Sequence, residues 1–444
     1  MVGRTHVVGA GVAGLSAALS ALSQDCPVTL YEAAPGTRSR DGGRSPEGET
    51  HSCTTGMDVL FAADCRAMAL LRSIGAHARW IAPEPEGIPL YDAGSGGLRR
   101  VGLSPWSWLA PDRRPPDMRL SDLVRLTRLA FSKEDRSLGD VASGGTPLAE
   151  LLEPVAGAAL NLRLCDMPAR QVGQVLGRFL CPGAARLLVP KRGLAEDLLE
   201  PALQEVRSRG ATVRLGEHLR SVLVNDGRAV GLVFTDHATI LGADDRVILA
   251  LPPEEIGRLL PCVEMPSRCA STLNVHFRVT GAHCPRFVAF RGTLAKRALV
   301  RSGHACVTVA AAESTAIRDR AKLASRIWRE VAPGFRALGL NVPADVPPEA
   351  CVAQGPRIPI RRDDEPPRSP PLRPLANLVL AGDWLGPRPG TIEGAVLAGE
   401  HAVSVLRHAR PGAPVRRACS AGARSGMADA VPISLRTPPE QAAR

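Results

Sequence analysis

The chain has 444 residues, 45% hydrophobic and 22% charged, with 55 Lys and Arg against 44 Asp and Glu and a formal net charge of +11. This length suits two or three domains, and the apolar and charged content is ordinary for a folded protein. The excess charge is arginine scattered without a dense block, with lysine only at Lys133, Lys191, Lys296 and Lys322. That scatter argues for a compositional bias over nucleic-acid binding, with a basic face resting on anionic lipid headgroups as the alternative.

In chain order, Val7 and Val8 form a short apolar strand, and Gly9-Ala-Gly11-Val-Ala-Gly14 turns it into a helix over about Ala13 to Leu22. Gly9 and Gly11 let a pyrophosphate approach the first turn of that helix, where free N–H groups and a positive dipole end await it, and Gly14 lets the helix pack closely on the strand. Cys26 to Tyr31 reads as a second strand, and Glu32 closes it 18 residues after Gly14. A carboxylate there accepts hydrogen bonds from ribose hydroxyls and repels a 2′-phosphate. Dinucleotide binding follows, with NAD and FAD undistinguished by this motif alone.

A loop rich in Gly and Arg follows, ending Gly42-Gly43-Arg44, and residues 63–75 read as an amphipathic helix. Pro83 to Pro116, rich in Pro, Gly and Trp, reads as an irregular cover including Trp106 and Trp108. Leu120 to Phe131, Leu148 to Leu164 and Ala169 to Phe179 have helical period. Pro190-Lys-Arg-Gly193-Leu194 opens a helix through Val206, and Gly210 to Leu215 is a strand. Leu219 to Val224 and Ala229 to Thr235 alternate around Asn225-Asp226-Gly227, a hairpin signal. Val247 to Leu251 reads as a buried strand, 271–311 as further alternating strands, and Ala316 to Val331 as a helix. Pro343 to Pro374 reads as irregular, Leu378 to Ala381 as a last core strand, and Gly394 to His408 as a last helix. The segment 411–444 has no period and reads as a disordered tail.

Eleven cysteines, an odd number without a CxxC pair, predict reduced thiols in a cytoplasmic protein, and neither a disulfide framework nor a metal site. A first strand expected so close to Met1 predicts no cleavable leader, and no run of about 20 apolar residues suits a membrane span.

Together the phosphate loop, Glu32, Val213-Arg-Leu-Gly216, Leu249-Ala-Leu-Pro252 and Ala381-Gly382-Asp383 resemble the FAD-dependent amine oxidase and phytoene desaturase superfamily. Within it, Ala158-Ala-Leu-Asn161, Arg192-Gly-Leu194 to Leu203, Asn274 to Phe277 and Thr391-Ile-Glu-Gly-Ala395 resemble the squalene-associated hydroxysqualene dehydroxylases of bacterial hopanoid pathways. The resemblance runs over roughly residues 5–408. It implies an α/β fold with a discontinuous, Rossmann-like FAD-binding domain (1–75, 185–262 and 375–410) and an inserted α+β substrate-binding domain (76–184 and 263–374). FAD is the implied cofactor, held by Gly9, Gly11, Ala13, Gly14, Glu32, Arg44, Val222, Gly382, Asp383 and Thr391. In this scheme Asp383 bonds the ribityl or pyrophosphate region, Val222 offers backbone to the adenine, and the helix starting near Thr391 points at the flavin ring.

The chain also departs from the family. The Gly-Gly-Arg phrase comes ten residues after Glu32, where six is usual; either an insertion displaces Arg44 or Arg38 replaces it. The Asp-Asn-Gly-x-His phrase of relatives reads Thr54-Thr-Gly56-Met-Asp58, and their Lys-Arg-Ala-Thr phrase becomes Gly355-Pro-Arg357-Ile. The implied reaction is reductive loss of a hydroxyl from hydroxysqualene, giving squalene. It needs an apolar tunnel, exclusion of water and a proton donor, for which Asp58, His276 and Glu393 are the candidates. His276 also suits a core position, and Asp58 a backbone bond. Amine oxidases frame the flavin with paired tyrosines, whereas this chain has only Tyr31 and Tyr91. A carotenoid desaturase or isomerase is the alternative enzyme, and a prenyl-lipid carrier or inactive flavoprotein the non-enzyme reading. Expected partners are a long isoprenoid substrate, other squalene-pathway enzymes and the inner face of the membrane, without nucleic acid.

Overall fold

The computed structural model describes residues 3–36, 58–116, 118–119, 169–266, 269–280, 282–309, 319–347, 350–359, 372–386, 388 and 390–408. Arg44, the 52–57 phrase, the two helices expected over 120–164 and the tail lie outside the described residues. The fold is α/β.

Three distant parts of the chain meet in a five-stranded sheet of order β18-β12-β1-β2-β8. These strands are β1 (Thr5–Val8), β2 (Val28–Glu32), β8 (Thr212–Leu215), β12 (Arg246–Leu249) and β18 (Leu378–Leu380). All four pairings are parallel. Strands buried on both faces cannot show alternation, which is why β1, β12 and β18 read as continuous apolar runs. Helix α1 (Val12–Leu22) connects β1 to β2, and α7 (Ile392–His408) packs beside it. Their contact is close because Gly399 has no side chain: a Cβ there would lie 2.3 Å from the Ala13 carbonyl oxygen. Strand order reverses at β1, with β2 on one side and β12 on the other. The crevice this creates lies beyond the C-terminal ends of these strands, at Gly9.

Between the sheet strands the chain adds α2 (Cys65–Ser73), α3 (Ala169–Arg178), α4 (Glu200–Ser208) and α5 (Pro253–Leu259). A small sheet sets β7 (Leu187–Pro190) between β3 (Leu60–Phe61) and β4 (Trp80–Ile81). The predicted hairpin is present as β9 (Leu219–Asn225) and β10 (Arg228–Phe234), extended by β11 (Ala238–Ile240). Its two turn residues, Asp226 (φ 48°) and Gly227 (φ 70°), are both left-handed, as a type I′ turn requires.

The second large sheet has seven strands in the order β17-β13-β16-β15-β14-β5-β6. They are β5 (Ile88–Asp92), β6 (Gly97–Val101), β13 (Cys269–Arg278), β14 (Arg286–Arg291), β15 (Ala295–Arg301), β16 (His304–Val309) and β17 (Cys351–Pro359). Helix α6 (Arg320–Ala337) covers one face, where Val275, Phe277, Val300 and Val307 meet Trp328, Val331 and Phe335.

Two stretches read as irregular contribute strands here. Pro89 precedes the first residue of β5 paired with β14, so its missing N–H interrupts no bond on that side. On β17, Gly355 and Pro356 fall where the pairing with β13 slips, from Ser271–Arg357 to Leu273–Gln354. A bulge on an edge strand accommodates both residues. Helix α6 is also longer than expected. The Asp319 side chain caps it by accepting from the Ala321 and Lys322 amides, and it runs through Pro333. An internal proline costs about 3 kcal/mol, a loss that burial of Trp328, Val331 and Phe335 on both sides of it offsets. Cys262 is disulfide-bonded, against the expectation of reduced thiols throughout.

Candidate cofactor and substrate site

Gly9 follows β1 with φ +102° and donates to the Tyr31 carbonyl at 2.8 Å. A Cβ on Gly9 would lie 2.4 Å from the Ala250 carbonyl oxygen, and one on Gly14 would lie 1.8 Å from the Gly9 oxygen. Gly11 differs: a Cβ there meets nothing within 4 Å. Two of the three glycines therefore close the strand–helix junction, and the third faces open space at the helix start. Gly11 is the N-cap of α1, with no side-chain cap and no acidic residue in the first turn. The amides of that turn, Ala13 included, present their positive end uncompensated, as a phosphate-binding helix must.

Glu32 stands at the edge of this cradle. Its carboxylate accepts from the Ala10 amide at 2.7 Å and the Ala34 amide at 2.9 Å. Each oxygen keeps a lone pair for a ribose hydroxyl. Beside it, the Gly216 and Glu217 amides donate to the Ala34 and Glu32 carbonyls. The chain entering β9 is thus docked against the end of β2. Val222, expected to offer backbone to the adenine, lies on β9 opposite Leu232 in the hairpin.

On the other side of β1, Gly382 and Asp383 follow β18. Trp384 locks this turn by donating from Nε1 to the Leu251 carbonyl at 2.9 Å, and the Asp383 carbonyl accepts from the Gly390 amide at 2.8 Å. Thr391 begins α7 as its N-cap, accepting from the Gly394 amide and donating to the Arg388 carbonyl, both at 2.9 Å. Glu393 is nearly fully buried and holds two elements together. It accepts from the Ala67 amide at 2.7 Å and the Arg66 amide at 3.3 Å, which caps α2, and from Arg388 at 3.2 Å. Burial pushes its carboxyl above the usual range. The start of α7 lies seven residues before the Gly399 crossing, about 10 Å of helix rise from α1.

The remaining two candidates lie elsewhere. Asp58 is buried just ahead of β3, and His276 is buried on β13. The face of the seven-stranded sheet away from α6 carries Asn274, His276, Arg297, Arg301, His304, Cys306 and Thr308, as the register shows. His276 Nδ1 lies 3.0 Å from His304 Nε2, with the rings stacked at 5.1 Å. Burial lowers His276 to about 4; burial, with His276 and Arg301 adding to it, lowers His304 to about 3. Both imidazoles are therefore neutral at pH 7. Arg301, 4% exposed, donates from Nε to the Pro190 carbonyl at 3.3 Å and feels the charge of Asp58. Sequence reasoning missed Arg301, Arg388 and His304. On β15 the alternation Arg297-Ala-Leu-Val-Arg301 looks like a strand with one solvated side, whereas both faces are buried.

A parallel sheet whose order reverses at β1, an open helix start after Gly9, a carboxylate oriented by backbone amides at the end of β2 and a second helix packed on α1 from the far end of the chain fit a flavin-adenine-dinucleotide oxidoreductase. The family model for flavin containing amine oxidoreductases matches residues 12–406, and the chain belongs to that family. It is 30% identical to the hydroxysqualene dehydroxylase of Sinorhizobium fredii, over 90% of this chain and 97% of that one. Its identity to the hydroxysqualene dehydroxylase of Rhodopseudomonas palustris is 29%, over 90% and 97%. Among solved structures, an oxidoreductase from Methanosarcina mazei superposes with a TM-score of 0.64 at 16% identity, covering 91% of this chain and 100% of that one. Putrescine oxidase bound to putrescine superposes with a TM-score of 0.60 at 14% identity, over 92% and 99%. At such identities these two likenesses concern the fold alone. FAD is the cofactor, and the open side of Gly11 and the oriented Glu32 fit it.

Proposed function

We propose that this protein removes the hydroxyl of hydroxysqualene reductively, giving squalene. The observation that carries this reading is the similarity to hydroxysqualene dehydroxylases along nearly the full length of both chains. FAD supplies two-electron hydride chemistry when bound. In this reading residues 1–75, 185–262 and 375–410 hold the cofactor, and 76–184 and 263–374 enclose the substrate. Gly11 and the first turn of α1 take the pyrophosphate, Glu32 the adenosine ribose, and Asp383 the ribityl side, while the α7 N-terminus, fixed by Thr391, faces the ring. Glu393 keeps α2 and α7 in register and is a positioning residue. The buried polar face bearing His276, together with Asp58, handles the leaving hydroxyl and keeps bulk water away from the reacting carbon.

We further infer that the protein works in the cytoplasm against the inner face of the membrane. No described helix is long and apolar enough to cross a membrane. Trp106, Leu109 and Leu180 are 61%, 56% and 40% exposed, and the Trp106 indole donates to the Leu180 carbonyl, joining two of them. Such an apolar group suits a substrate that partitions into lipid.

The deciding experiment reduces the purified yellow protein anaerobically and adds hydroxysqualene. Squalene formed in step with return of the oxidised flavin spectrum is the expected result. No reoxidation with the alcohol, but reaction with phytoene, would transfer the assignment to the desaturases.

A further inference from the structure

Arg301 is a buried charge whose terminal nitrogens are left unmatched among the described residues. It ends β15, is 4% exposed, and its Nη1 and Nη2 meet no hydrogen-bond partner among the described residues. Only Nε is engaged, with the Pro190 carbonyl of β7. The guanidinium therefore sits where the seven-stranded sheet meets the small β3-β7-β4 sheet, with both terminal nitrogens turned to the interior. His276, on the same sheet face, has a buried Nε2 that likewise meets no partner. Leaving buried donors unmatched costs about 1–3 kcal/mol each, and more when they are charged, so an acceptor brought to these nitrogens gains binding energy.

The surrounding charges indicate what kind of ligand. Asp58, Asp197 and Glu196 all act on Arg301 electrostatically. An anion brought to the guanidinium would meet three carboxylates, whereas an uncharged oxygen acceptor gains the donors without that repulsion. Both neighbouring imidazoles are neutral and add no positive charge.

We propose that Arg301 is the hydroxyl-recognition residue of the substrate site, binding the oxygen of an uncharged alcohol on a long apolar chain through Nη1 and Nη2. This rests on the hydroxysqualene reading and names the group that distinguishes that alcohol from the hydrocarbon it becomes. Product release follows from the same contact, since squalene has no oxygen for Arg301 to hold.

The test needs no turnover. Binding of hydroxysqualene and of squalene to the oxidised holoenzyme is followed by tryptophan fluorescence, for the wild type, Arg301→Met and Arg301→Lys. A bond to a charged donor, about 1.5–3 kcal/mol, predicts that wild type prefers the alcohol by roughly 10- to 100-fold. Arg301→Met should bring that preference close to unity while squalene affinity stays within about threefold. Arg301→Lys, which keeps the charge without the fork, should fall between and decides the matter if the Met variant loses its flavin. An unchanged preference in the variants overturns the role of Arg301 and leaves the proposed function standing. If wild type binds neither triterpene, both fall. Tighter binding of farnesyl diphosphate than of the alcohol, abolished in Arg301→Met, would make this an anion site and overturn the proposal.

Discussion

Gly11 and Gly14 stand three residues apart in one motif, yet substitution should separate their duties. A methyl at Gly11 enters open space, so Gly11→Ala should leave the melting temperature of the flavin-free protein within about 2 °C and weaken FAD binding at least tenfold. A methyl at Gly14 would collide with the Gly9 carbonyl, and Gly14→Ala should destabilise the flavin-free protein by roughly 1–3 kcal/mol, the usual cost of overpacking. Thermal melts with and without flavin check both; equal damage from the two would refute the assignment. The His276–His304 pair makes a prediction in pH. Their folded-state values of about 4 and 3 lie below the ordinary 6.5. Between pH 6.5 and 4 the unfolded chain therefore binds more protons, and stability present above pH 6.5 is lost as pH falls. The His276 share is about 3 kcal/mol at 1.36 kcal/mol per pH unit. Unfolding in urea across this range should show it, and His276→Gln should flatten the slope by about one proton. The glycines and Glu32 were readable in the sequence because their constraints are local: a turn, a close approach and an acid at the end of the next strand. Arg301 was not, because whether a charged strand position faces water or another sheet is absent from its neighbours.

At the scale of elements, helices α1 and α7 depend on two small contacts. Thr391 is the N-cap of α7, and Thr391→Ala should cost about 1 kcal/mol, with a smaller loss in Thr391→Ser; denaturant unfolding checks the order. Gly399 sets the distance between α7 and α1. Gly399→Val should push the helices apart and cost roughly 1–3 kcal/mol or more, with loss of bound flavin as the visible sign. Unaltered flavin content would show that the α7 N-terminus need not keep its place. Most elements were legible from period and punctuation: β1, β2, α1, the Asp226-Gly227 hairpin, β12, β18 and α7. The strands β5, β6 and β17 were not. They carry Pro and Gly that normally break strands, and they are strands only because a neighbouring sheet supplies partners and a bulge absorbs the misfit. Helix α6 passes Pro333 for a similar reason: its apolar stripe is buried against the sheet.

For the whole molecule, the exposed Trp106, Leu109 and Leu180 carry a membrane prediction. The protein should sediment with vesicles containing anionic phospholipid, and Trp106→Ser together with Leu109→Ser should reduce the bound fraction severalfold while flavin content stays unchanged. An unaltered bound fraction would remove this surface from the account. The sequence alone pointed to a dinucleotide, because the Gly9–Gly14 loop with Glu32 is a short-range steric and hydrogen-bonding device, and the resemblance carried by short phrases such as Ala381-Gly382-Asp383 narrowed it to FAD. It could not determine what the middle of the chain does with its charges. Burial of Arg301 beside Asp58, the pairing of His276 with His304, and the use of Glu393 as a clasp between α2 and α7 each join residues separated by tens or hundreds of positions. Such contacts depend on which sheet faces which, and tertiary packing alone decides that: a charged side chain costs little in water and several kcal/mol inside unless a partner is there to meet it.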